Sequence, residues 1–487
     1  MIVERFHAMV RRYPDEVALV DGEERLTYAD LEQGITALAF YLKRTLDVRP
    51  GDVIAASLSN SWQFVESFFA TVKLGASFFP CNPQWRAPEL RALASRLRVR
   101  GAIVEKQSRE EWDELADLVP SHRLLSLEER PRSIEGSVEE TTLSEDQPVV
   151  WLTTSGSTGT PRLVPRSARN LFTAAANVAN ALKIDVGRRF LGVGPFYHAY
   201  GFNNCLMLPL LSGARTVPVR QFVPATCIDL IDREKIDVLF GSPLVYDFLA
   251  RNASDSTRLA SLAVCLSGGA RMAADIAERW NKRFGIPVRQ YYGSTETGVI
   301  AIDRGSSLRA PDGQGTYVGT PIPGVEARCL AADGADAPAG SLGEIIVRSA
   351  AVMSGYLDEP EASAQAFYQG FYRTGDVGFI DGDGGLFLTG RIGRTINIGG
   401  VKVAPAEIER VIETIPVVSQ CWVDGAPHPS AGETIRARIV LREGASISRA
   451  ELLHQCRQQL AEYKLPRIIE FVEALPMSIS GKLPRFA

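Results

Sequence analysis

The sequence predicts an α/β protein with a large N-terminal domain and a small C-terminal α+β domain. Three observations support this fold class. Helix-like and strand-like stretches alternate over the first 300 residues, short strands separated by glycines follow, and the last part of the chain has a separate helix–strand–helix pattern. A chain of 487 residues is too long for a single hydrophobic core, so several structural units are expected.

The first part of the chain predicts a parallel sheet. Apolar residues recur at helical spacing over 28–45, residues 52–58 are strand-like, 61–74 is again helical, and 76–80 is a short apolar run. A strand–helix–strand alternation of this kind is typical of parallel sheets. The polar, acidic stretch 120–148 predicts a surface excursion.

A second α/β unit is predicted beyond this excursion. An alanine-rich helical pattern covers 170–182, and strand-like runs follow at 189–193, 215–219, 238–240 and 263–266. Helical stretches separate these runs. We therefore expect two α/β sheet subdomains within the large domain.

The pattern changes after Gly298. Residues 313–387 are rich in glycine and contain short strands such as 343–347, which predicts a small β-barrel-like subdomain or a mixed sheet. In 390–400, four glycines surround two arginines, and we place a domain boundary there. The predicted domains are 1–390 and 391–487.

The C-terminal domain is predicted to be compact and mobile. It contains a helical stretch at 405–415, a strand at 435–441 and a second helical stretch at 449–460. Its length lies within the usual range for an independent domain.

Composition excludes several classes of protein. The chain is 45% hydrophobic and 23% charged with a net charge of −4, so it has no general electrostatic reason to bind nucleic acid. No stretch reaches the ~20 apolar residues of a membrane span, and the N-terminus has no signal-like apolar core. The seven dispersed cysteines include no Cys-x-x-Cys pair, which predicts reduced thiols in a cytoplasmic protein.

The stretch 149–166, VVWLTTSGSTGTPRLVPR, predicts a phosphate-binding loop. An apolar run is followed by eight small, hydroxylated or glycine residues and then by Pro161 and Arg162. Such a loop presents backbone N–H groups and hydroxyls at the end of a strand, as a phosphate chain requires. It is not the Walker loop, because no Gly-Lys-Ser/Thr follows the glycines. A flexible Ser/Gly linker is the alternative interpretation.

Four more motifs follow this loop along the chain: YYGSTETG at 291–298, YRTGD at 372–376, GRIGRTINIGGVKVAPAEIE at 390–409 and PMSISGK at 476–482. Together with RYPDEVAL and LTYADLE near the N-terminus, the set resembles the adenylate-forming superfamily of acyl- and aryl-CoA synthetases, adenylation domains and beetle luciferases. The chain looks most like a stand-alone acyl- or aryl-CoA ligase. The resemblance implies two steps. A carboxylate attacks the α-phosphate of ATP and releases pyrophosphate, and a thiol then takes the acyl group from the adenylate.

The resemblance implies a site for ATP and Mg²⁺. Glu296 is expected to hold the metal and Thr295 to contact the α-phosphate, which suits a hard cation that prefers oxygen ligands. The positions implied for the β- and γ-phosphates are Thr154, Ser155, Gly156, Ser157, Thr158 and Gly159. Those implied for the nucleoside are Asp376 and Arg391 at the ribose, Tyr292 and Gly293 beside the adenine, and Gly268, Gly269 and Ala270 as a close backbone approach to the adenine and acyl group.

The C-terminal domain is expected to serve both steps. Lys482 is implied to reach the carboxylate and the ribose side of the adenylate during the first step. Rotation of this domain then brings Gly399 and Gly400 to the site and opens a channel for the thiol. Two positions depart from the family pattern, since Gly393 stands where relatives usually have Asp or Lys, and Arg162 where they more often have lysine.

The acid is expected to bind near 196–211, FYHAYGFNNCLMLPLL. Amino-acid-activating relatives have an aspartate in this region, and this run has none, so an uncharged aryl or fatty acyl acid is expected. His198 resembles the aromatic or histidine gate of acyl- and aryl-CoA ligases, and a hydrogen-bonded core histidine is the alternative. Candidate pocket walls are Tyr197, Tyr200, Phe202, Gly241, Ser242, Gly298 and Val299.

Three functions stay open at this point. The acceptor is CoA, or it is the phosphopantetheine thiol of a separate carrier protein. The third possibility, suggested by Gly393 and Arg162, is a non-catalytic ATP-binding protein with the same fold. The protein is expected to be a monomer or a homodimer.

Overall fold

The computed structural model of the chain describes residues 2–126, 138, 141, 144–154, 161–270, 272, 274–305, 315–391, 396–442, 444–473 and 475. These residues form a large α/β domain and a small α+β domain, which confirms the predicted fold class. Among the described helices, none is long and apolar enough to cross a bilayer.

The N-terminal part alternates helices and strands as predicted. Its elements are α1 (Ile2–Arg12), β1 (Val17–Asp21), β2 (Glu24–Thr27), α2 (Tyr28–Leu46), β3 (Val53–Ser57), α3 (Trp62–Lys73), β4 (Ser77–Cys81), α4 (Ala87–Leu97), β5 (Gly101–Val104), α5 (Arg109–Asp113) and β6 (Leu124–Ser126). α2 begins at a capping box, in which Thr27 and Asp30 each accept a backbone N–H of the other. Strand β6 corrects the prediction of a surface excursion over 120–148, because Leu124 and Leu125 are buried at the edge of the sheet.

The next part completes two sheets. Its elements are β7 (Pro148–Thr154), β8 (Arg162–Ser167), α6 (Ala168–Leu182), β9 (Arg189–Gly192), α7 (Ala199–Gly201), a π-helical turn (Phe202–Met207), α8 (Leu208–Leu211), β10 (Arg215–Pro218), α9 (Pro224–Glu234), β11 (Val238–Gly241), α10 (Pro243–Asn252), β12 (Val264–Ser267), α11 (Ala274–Phe284), β13 (Val288–Ser294) and β14 (Gly298–Ile302).

The first sheet runs β6-β5-β3-β4-β7-β8 and is parallel except for the hairpin of β7 and β8. In this hairpin Thr154 lies opposite Arg162, so the predicted phosphate loop connects two paired strands. Residues 155–160 of the loop lie outside the described residues.

The glycine-rich part contributes β15 (Thr316–Pro321), β16 (Glu326–Leu330), β17 (Gly343–Arg348), α12 (Pro360–Gln365), β18 (Phe367–Tyr368), β19 (Phe371–Ile380) and β20 (Leu386–Arg391). These strands are antiparallel and continue the second sheet through β14, which pairs with β13. In the described part of the chain the order of that sheet is β16-β17-β19-β20-β15-β14-β13-β12-β11-β9-β10-β1-β2, with β18 on β19. The glycine-rich strands therefore form one continuous sheet with the parallel strands, through the pairing of β13 with β14 and of β14 with β15.

The small domain contains β21 (Ile396–Ile398), β22 (Val401–Val403), α13 (Pro405–Glu413), β23 (Val418–His428), β24 (Gly432–Leu441), α14 (Arg449–Arg457) and β25 (Ile468–Phe471). Its sheet runs β22-β21-β24-β23, with β25 parallel to β24. Ile408, Ile412 and Leu452 of the helices pack with strand residues such as Val423 and Ile439 in one buried cluster.

The parallel strands end together at one edge of the second sheet. Gly241, Ser267 and Gln290 lie level in β11, β12 and β13. The loops after β11 and β12 therefore emerge side by side, and β13 continues past them to Ser294, at the edge where open α/β sheets usually bind ligands.

Candidate functional site

A cavity of about 360 Å³ lies at this edge, between the large and the small domain. Residues from β7, from the loops after the parallel strands and from the segment 399–407 line it together. The predicted site residues found in its wall are Thr154, Tyr197, His198, Tyr200, Ser242, Gly268, Gly269, Gly293, Thr295, Glu296, Gly298, Val299, Gly399 and Gly400.

Other predicted residues lie elsewhere or outside the described residues. Phe202, Gly241, Ala270, Tyr292 and Asp376 are described but do not line this cavity. Ser155, Gly156, Ser157, Thr158, Gly159, Gly393, Lys482 and the side chain of Arg391 lie outside the described residues.

Two glycine pairs meet across the domain interface. A Cβ on Gly268 would lie 2.3 Å from the ring of Tyr291, and a Cβ on Gly269 would lie 3.0 Å from the Cα of Gly400. The side chain of Asn397 fixes the contact, because its Nδ2 donates to the Gly269 carbonyl at 2.6 Å and its Oδ1 accepts the Gly400 N–H at 2.9 Å. Larger residues would separate the two domains here.

Thr295 and Glu296 form the turn between β13 and β14. Ser294 faces Gly298 across this hairpin, and the Ser294 N–H donates to Thr297 Oγ1 at 3.1 Å. Glu296 is 7% exposed and lines the cavity. The hydroxyl of Tyr356 donates to its Oε1 at 3.3 Å. The turn therefore holds a carboxylate and a threonine at the cavity wall.

Arg166 holds this turn through a hydrogen bond to its backbone, and the sequence interpretation did not identify this residue. Its Nη1 donates to the Thr295 carbonyl at 2.8 Å, and the side chain is completely buried. Nε and Nη2 have no hydrogen-bond partner within the described residues. Burial lowers the pKa of Arg166 to about 10, although the charge of Glu296 opposes the shift. The sequence offered one signal for this role, which is an arginine in the strand RLVPRS, whose last five residues are buried.

Arg162 does not line the cavity but packs beside a residue that contacts its wall. Its Nε donates to Glu359 Oε2 at 3.0 Å, and its guanidinium lies 4.8 Å from the ring centre of Tyr356, whose hydroxyl donates to Glu296. The wider fork of arginine is thus used in a salt bridge and a cation–π contact.

Asp376 and Tyr292 form a buried pair. The Tyr292 hydroxyl donates to Asp376 Oδ2 at 2.5 Å, and the Asp376 N–H donates to Thr374 Oγ1 at 3.0 Å. Asp376 lies directly opposite Arg391 in the pairing of β19 and β20. The backbone therefore brings together the two residues that were predicted at the ribose. Their contacts with nucleotide stay predictions, as does the adenine contact of Tyr292.

His198 lies directly before the helical segment that begins at Ala199 and lines the cavity. Desolvation lowers its pKa to about 4, and the charge of Lys402 acts in the same direction. Tyr200 donates to the Phe240 carbonyl, and its ring stacks on Tyr291 with centroids 6.5 Å apart. The cavity wall near His198 therefore combines aromatic side chains and a neutral imidazole with the positive charge of Lys402.

A buried ion bridge joins the domains beside the cavity. Lys464 Nζ lies 2.5 Å from Glu89 Oε1 in the large domain and 2.7 Å from Glu407 Oε1 in the small domain. Burial alone would lower the pKa of Lys464, but Tyr463 and the two carboxylates raise it, so the side chain is charged. No local motif predicts this contact, because Glu89 and Lys464 are 375 positions apart.

The site suits a magnesium ion that arrives with phosphates. In the described residues no group of three or more His, Cys, Asp or Glu side chains gathers as a metal site. Mg²⁺ is commonly held by one or two carboxylates together with substrate phosphates. Glu296, buried at the wall of the cavity, has the chemistry for that role.

Comparisons with known proteins agree with this architecture. Residues 6–357 match the family model "AMP-binding enzyme", and residues 407–482 match "AMP-binding enzyme C-terminal domain". The predicted boundary at 390 lies between the two matched stretches. A feruloyl-CoA synthase from Amycolatopsis sp is 33% identical over 97% of this chain and 95% of its own length.

Two solved structures show how similar the fold is to those of known proteins. A double mutant of o-succinylbenzoate CoA synthetase from Bacillus subtilis, bound with its product analogue, has a TM-score of 0.90 at 25% identity, covering 99% of this chain and 96% of its own. ATP-bound MatB from Rhodopseudomonas palustris has a TM-score of 0.74 at 26% identity, covering 99% and 97%.

Proposed function

The chain belongs to the AMP-binding enzyme family, and we propose that it is an AMP-forming ligase that joins an uncharged aryl or fatty acyl acid to the thiol of CoA. Members of this family activate a carboxylic acid with ATP and then transfer the acyl group to CoA. The observation that carries the proposal is the shared cavity. It is lined both by Thr295 and Glu296 of the large domain and by Gly399 and Gly400 of the small domain.

The first step requires two anions, the carboxylate and the α-phosphate, to approach each other. Groups that neutralise and orient charge lower the barrier to such a reaction. Thr154 and Thr295 offer hydroxyls at the cavity wall, and Glu296 would hold Mg²⁺. Arg166 keeps the Thr295 turn in place through its carbonyl. Lys482 is our proposed contact to the reacting carboxylate.

The arrangement of the domains supports the second step. The Gly399–Gly400 segment is docked on Gly268 and Gly269, as expected for the state in which a thiol enters.

The pocket chemistry supports an uncharged acid. Around His198, which is neutral at pH 7, the cavity is lined by Tyr197, Tyr200, Asn203, Asn204 and the cationic Lys402. None of these side chains pairs with an ammonium group as an aspartate would. The feruloyl-CoA synthase relative favours an aryl acid. The seven cysteines are all buried, in keeping with our proposal of a reducing, cytoplasmic setting.

Pyrophosphate exchange across a panel of aliphatic, aromatic and amino acids tests the proposal. We expect exchange with uncharged acids, and we expect Lys482→Ala to lower it by about 10² or more, the scale of a lost electrostatic contact. Lys235→Ala is the matched control, because that lysine is 62% exposed and pairs only locally with Asp232.

Acceptor specificity separates the remaining alternatives. Free CoA and a phosphopantetheinylated carrier protein are compared with the preformed adenylate, and we expect transfer to CoA. ATP binding without carboxylate-dependent exchange for any acid would instead identify a non-catalytic binding protein.

A further inference from the structure

The segment between β17 and α12 is bonded by its backbone to the turn that carries Glu296. The Met353 N–H donates to the Glu296 carbonyl at 2.8 Å. Four residues later, the Leu357 N–H donates to the Leu163 carbonyl of β8 at 3.1 Å. Tyr356 lies between these two anchors. Its backbone is therefore held both against the turn and against the strand that follows the phosphate loop.

The hydroxyl of Tyr356 links this segment to the carboxylate of Glu296. It donates to Oε1 at 3.3 Å, and it lies 3.2 Å from the hydroxyl of Tyr372 in β19. An ionised carboxylate only accepts hydrogen bonds, so Tyr356 gives its hydrogen to Glu296 and can accept the hydrogen of Tyr372. Burial raises the pKa of Tyr356 above its ordinary value, so the hydroxyl keeps this hydrogen at neutral pH.

Two arginines fix the ring that carries this hydroxyl. The guanidinium of Arg162 lies 4.8 Å from the ring centre of Tyr356, a distance at which a cation is attracted to the face of the ring. Arg162 is itself held by Glu359, which also pairs with Arg96 at 3.2 Å. The Arg96 Nη2 donates to the Leu357 carbonyl at 2.6 Å, directly after Tyr356. Both the ring and its backbone are thus restrained.

The orientation of Glu296 matters because few protein groups are available to a metal ion here. Within the described residues, no group of three or more His, Cys, Asp or Glu side chains gathers as a metal site. A cation at the cavity therefore depends on this carboxylate and on the phosphates of the nucleotide. Carboxylates that bind metals are usually hydrogen-bonded by a neighbour, which sets their rotation and tunes their affinity.

We propose that Tyr356 is a positioning residue for the metal, because its hydroxyl holds the Glu296 carboxylate in the orientation that receives Mg²⁺ together with the phosphates of ATP. The inference rests on the proposed function, since it deepens the role of Glu296 in the same site. Tyr356 does not line the cavity, so it acts through Glu296 and not on the substrate.

Nucleotide binding with and without metal tests the proposal. Isothermal titration with α,β-methylene-ATP gives one Kd in Mg²⁺ and one in EDTA, and their ratio measures how much the metal adds to the affinity. We expect Tyr356→Phe to reduce this ratio by about 10-fold, the scale of losing a partner of a metal-binding carboxylate. The Kd in EDTA should stay unchanged. Glu296→Gln sets the scale, because it removes the charge itself.

Pyrophosphate exchange at varied Mg²⁺ separates positioning from a structural role. In Tyr356→Phe the KM for Mg²⁺ should rise by about 10-fold, and kcat at saturating Mg²⁺ should stay close to that of the wild type. Tyr368→Phe is the matched control, because the Tyr368 hydroxyl donates to the Gly334 carbonyl at 2.9 Å and does not line the cavity. That variant should behave like the wild type in both measurements.

The outcomes distinguish this inference from the proposed function. Failure of the wild type to exchange pyrophosphate with any acid would overturn the proposed function, whereas the titrations with the ATP analogue need no acid. An unchanged ratio of Kd values in Tyr356→Phe would overturn only the positioning role. A loss of kcat at every Mg²⁺ concentration, together with a lower free energy of unfolding, would show that Tyr356 is structural and would contradict the inference.

Discussion

Replacing Glu89 by glutamine should slow transfer to the thiol while leaving activation of the acid intact. Glu89 lies in the large domain and contacts Lys464 of the small domain at 2.5 Å, so rotation of the small domain must break this contact. The bridge therefore stabilises only the arrangement in which Gly400 is docked on Gly269. The substitution removes the charge and keeps the shape, and glutamine can still accept the Arg86 N–H that caps α4.

The expected size of the effect follows from burial. The side chains of Lys464 and Glu89 are 6% and 8% exposed, and removing one partner of such a buried pair costs about 3–5 kcal/mol. Because Glu407 remains paired at 2.7 Å and the new amide oxygen still accepts a hydrogen bond, we expect a smaller loss, about 1.5–3 kcal/mol. The docked arrangement then becomes about 10-fold to 100-fold less populated relative to the alternative.

The assay resolves the two steps. Preformed acyl adenylate is mixed rapidly with CoA in a single turnover, and pyrophosphate exchange is measured separately. Thioester formation should slow by about 10-fold or more, and exchange should be unchanged or faster. Asp117→Asn is the control, since Asp117 forms an exposed pair with Arg91 within the large domain. Equal slowing of both steps, or normal thioester formation, would refute the reasoning.

Three further predictions concern individual side chains. Arg166→Met removes the donor to the Thr295 carbonyl and should lower the rate of pyrophosphate exchange by about 10-fold. The free energy of unfolding should not fall, because the substitution also removes a buried charge. Equal losses of activity and stability would contradict a positioning role. The pKa of His198 is about 4 in the folded protein, so between pH ~6.5 and pH 4 this histidine binds a proton mainly in the unfolded chain. The free energy of unfolding should therefore decrease as the pH is lowered, by about 2 kcal/mol at pH 5. In urea unfolding, His198→Asn should lack this pH-dependent loss of the free energy of unfolding. Arg162→Lys should leave the KM for ATP unchanged, because Arg162 pairs with Glu359, and a several-fold rise would show that arginine is adapted to the phosphate loop.

Local patterns predicted most of the fold. The helical period over 28–45 corresponds to α2, and the apolar run at 52–58 contains β3, because burial of one helix face or of a whole strand leaves a periodic trace in the sequence. The second sheet was harder to predict. Short strands at 313–387 carry no information about their partner, so their union with the parallel strands through β13 and β14 was found only in the structure.

The residues of the candidate site also fall into those that the sequence predicted and those that only the structure revealed. Motifs predicted Thr295, Glu296, Gly268, Gly269, Gly399 and Gly400, and all six line one cavity. Arg166 and Lys464 were missed, because each acts through a contact with a residue distant in the chain.

The sequence by itself determined the reaction class, because its motifs resemble those of the adenylate-forming superfamily and that resemblance implies the reaction. Each motif is readable in a sequence because binding phosphate or metal, or a close backbone approach, requires particular residue types within a short stretch. Only the tertiary structure decided which groups share the cavity and which arrangement of the domains is stabilised. These features depend on burial and on distances of a few ångströms between segments that are hundreds of residues apart, as between Glu89 and Lys464.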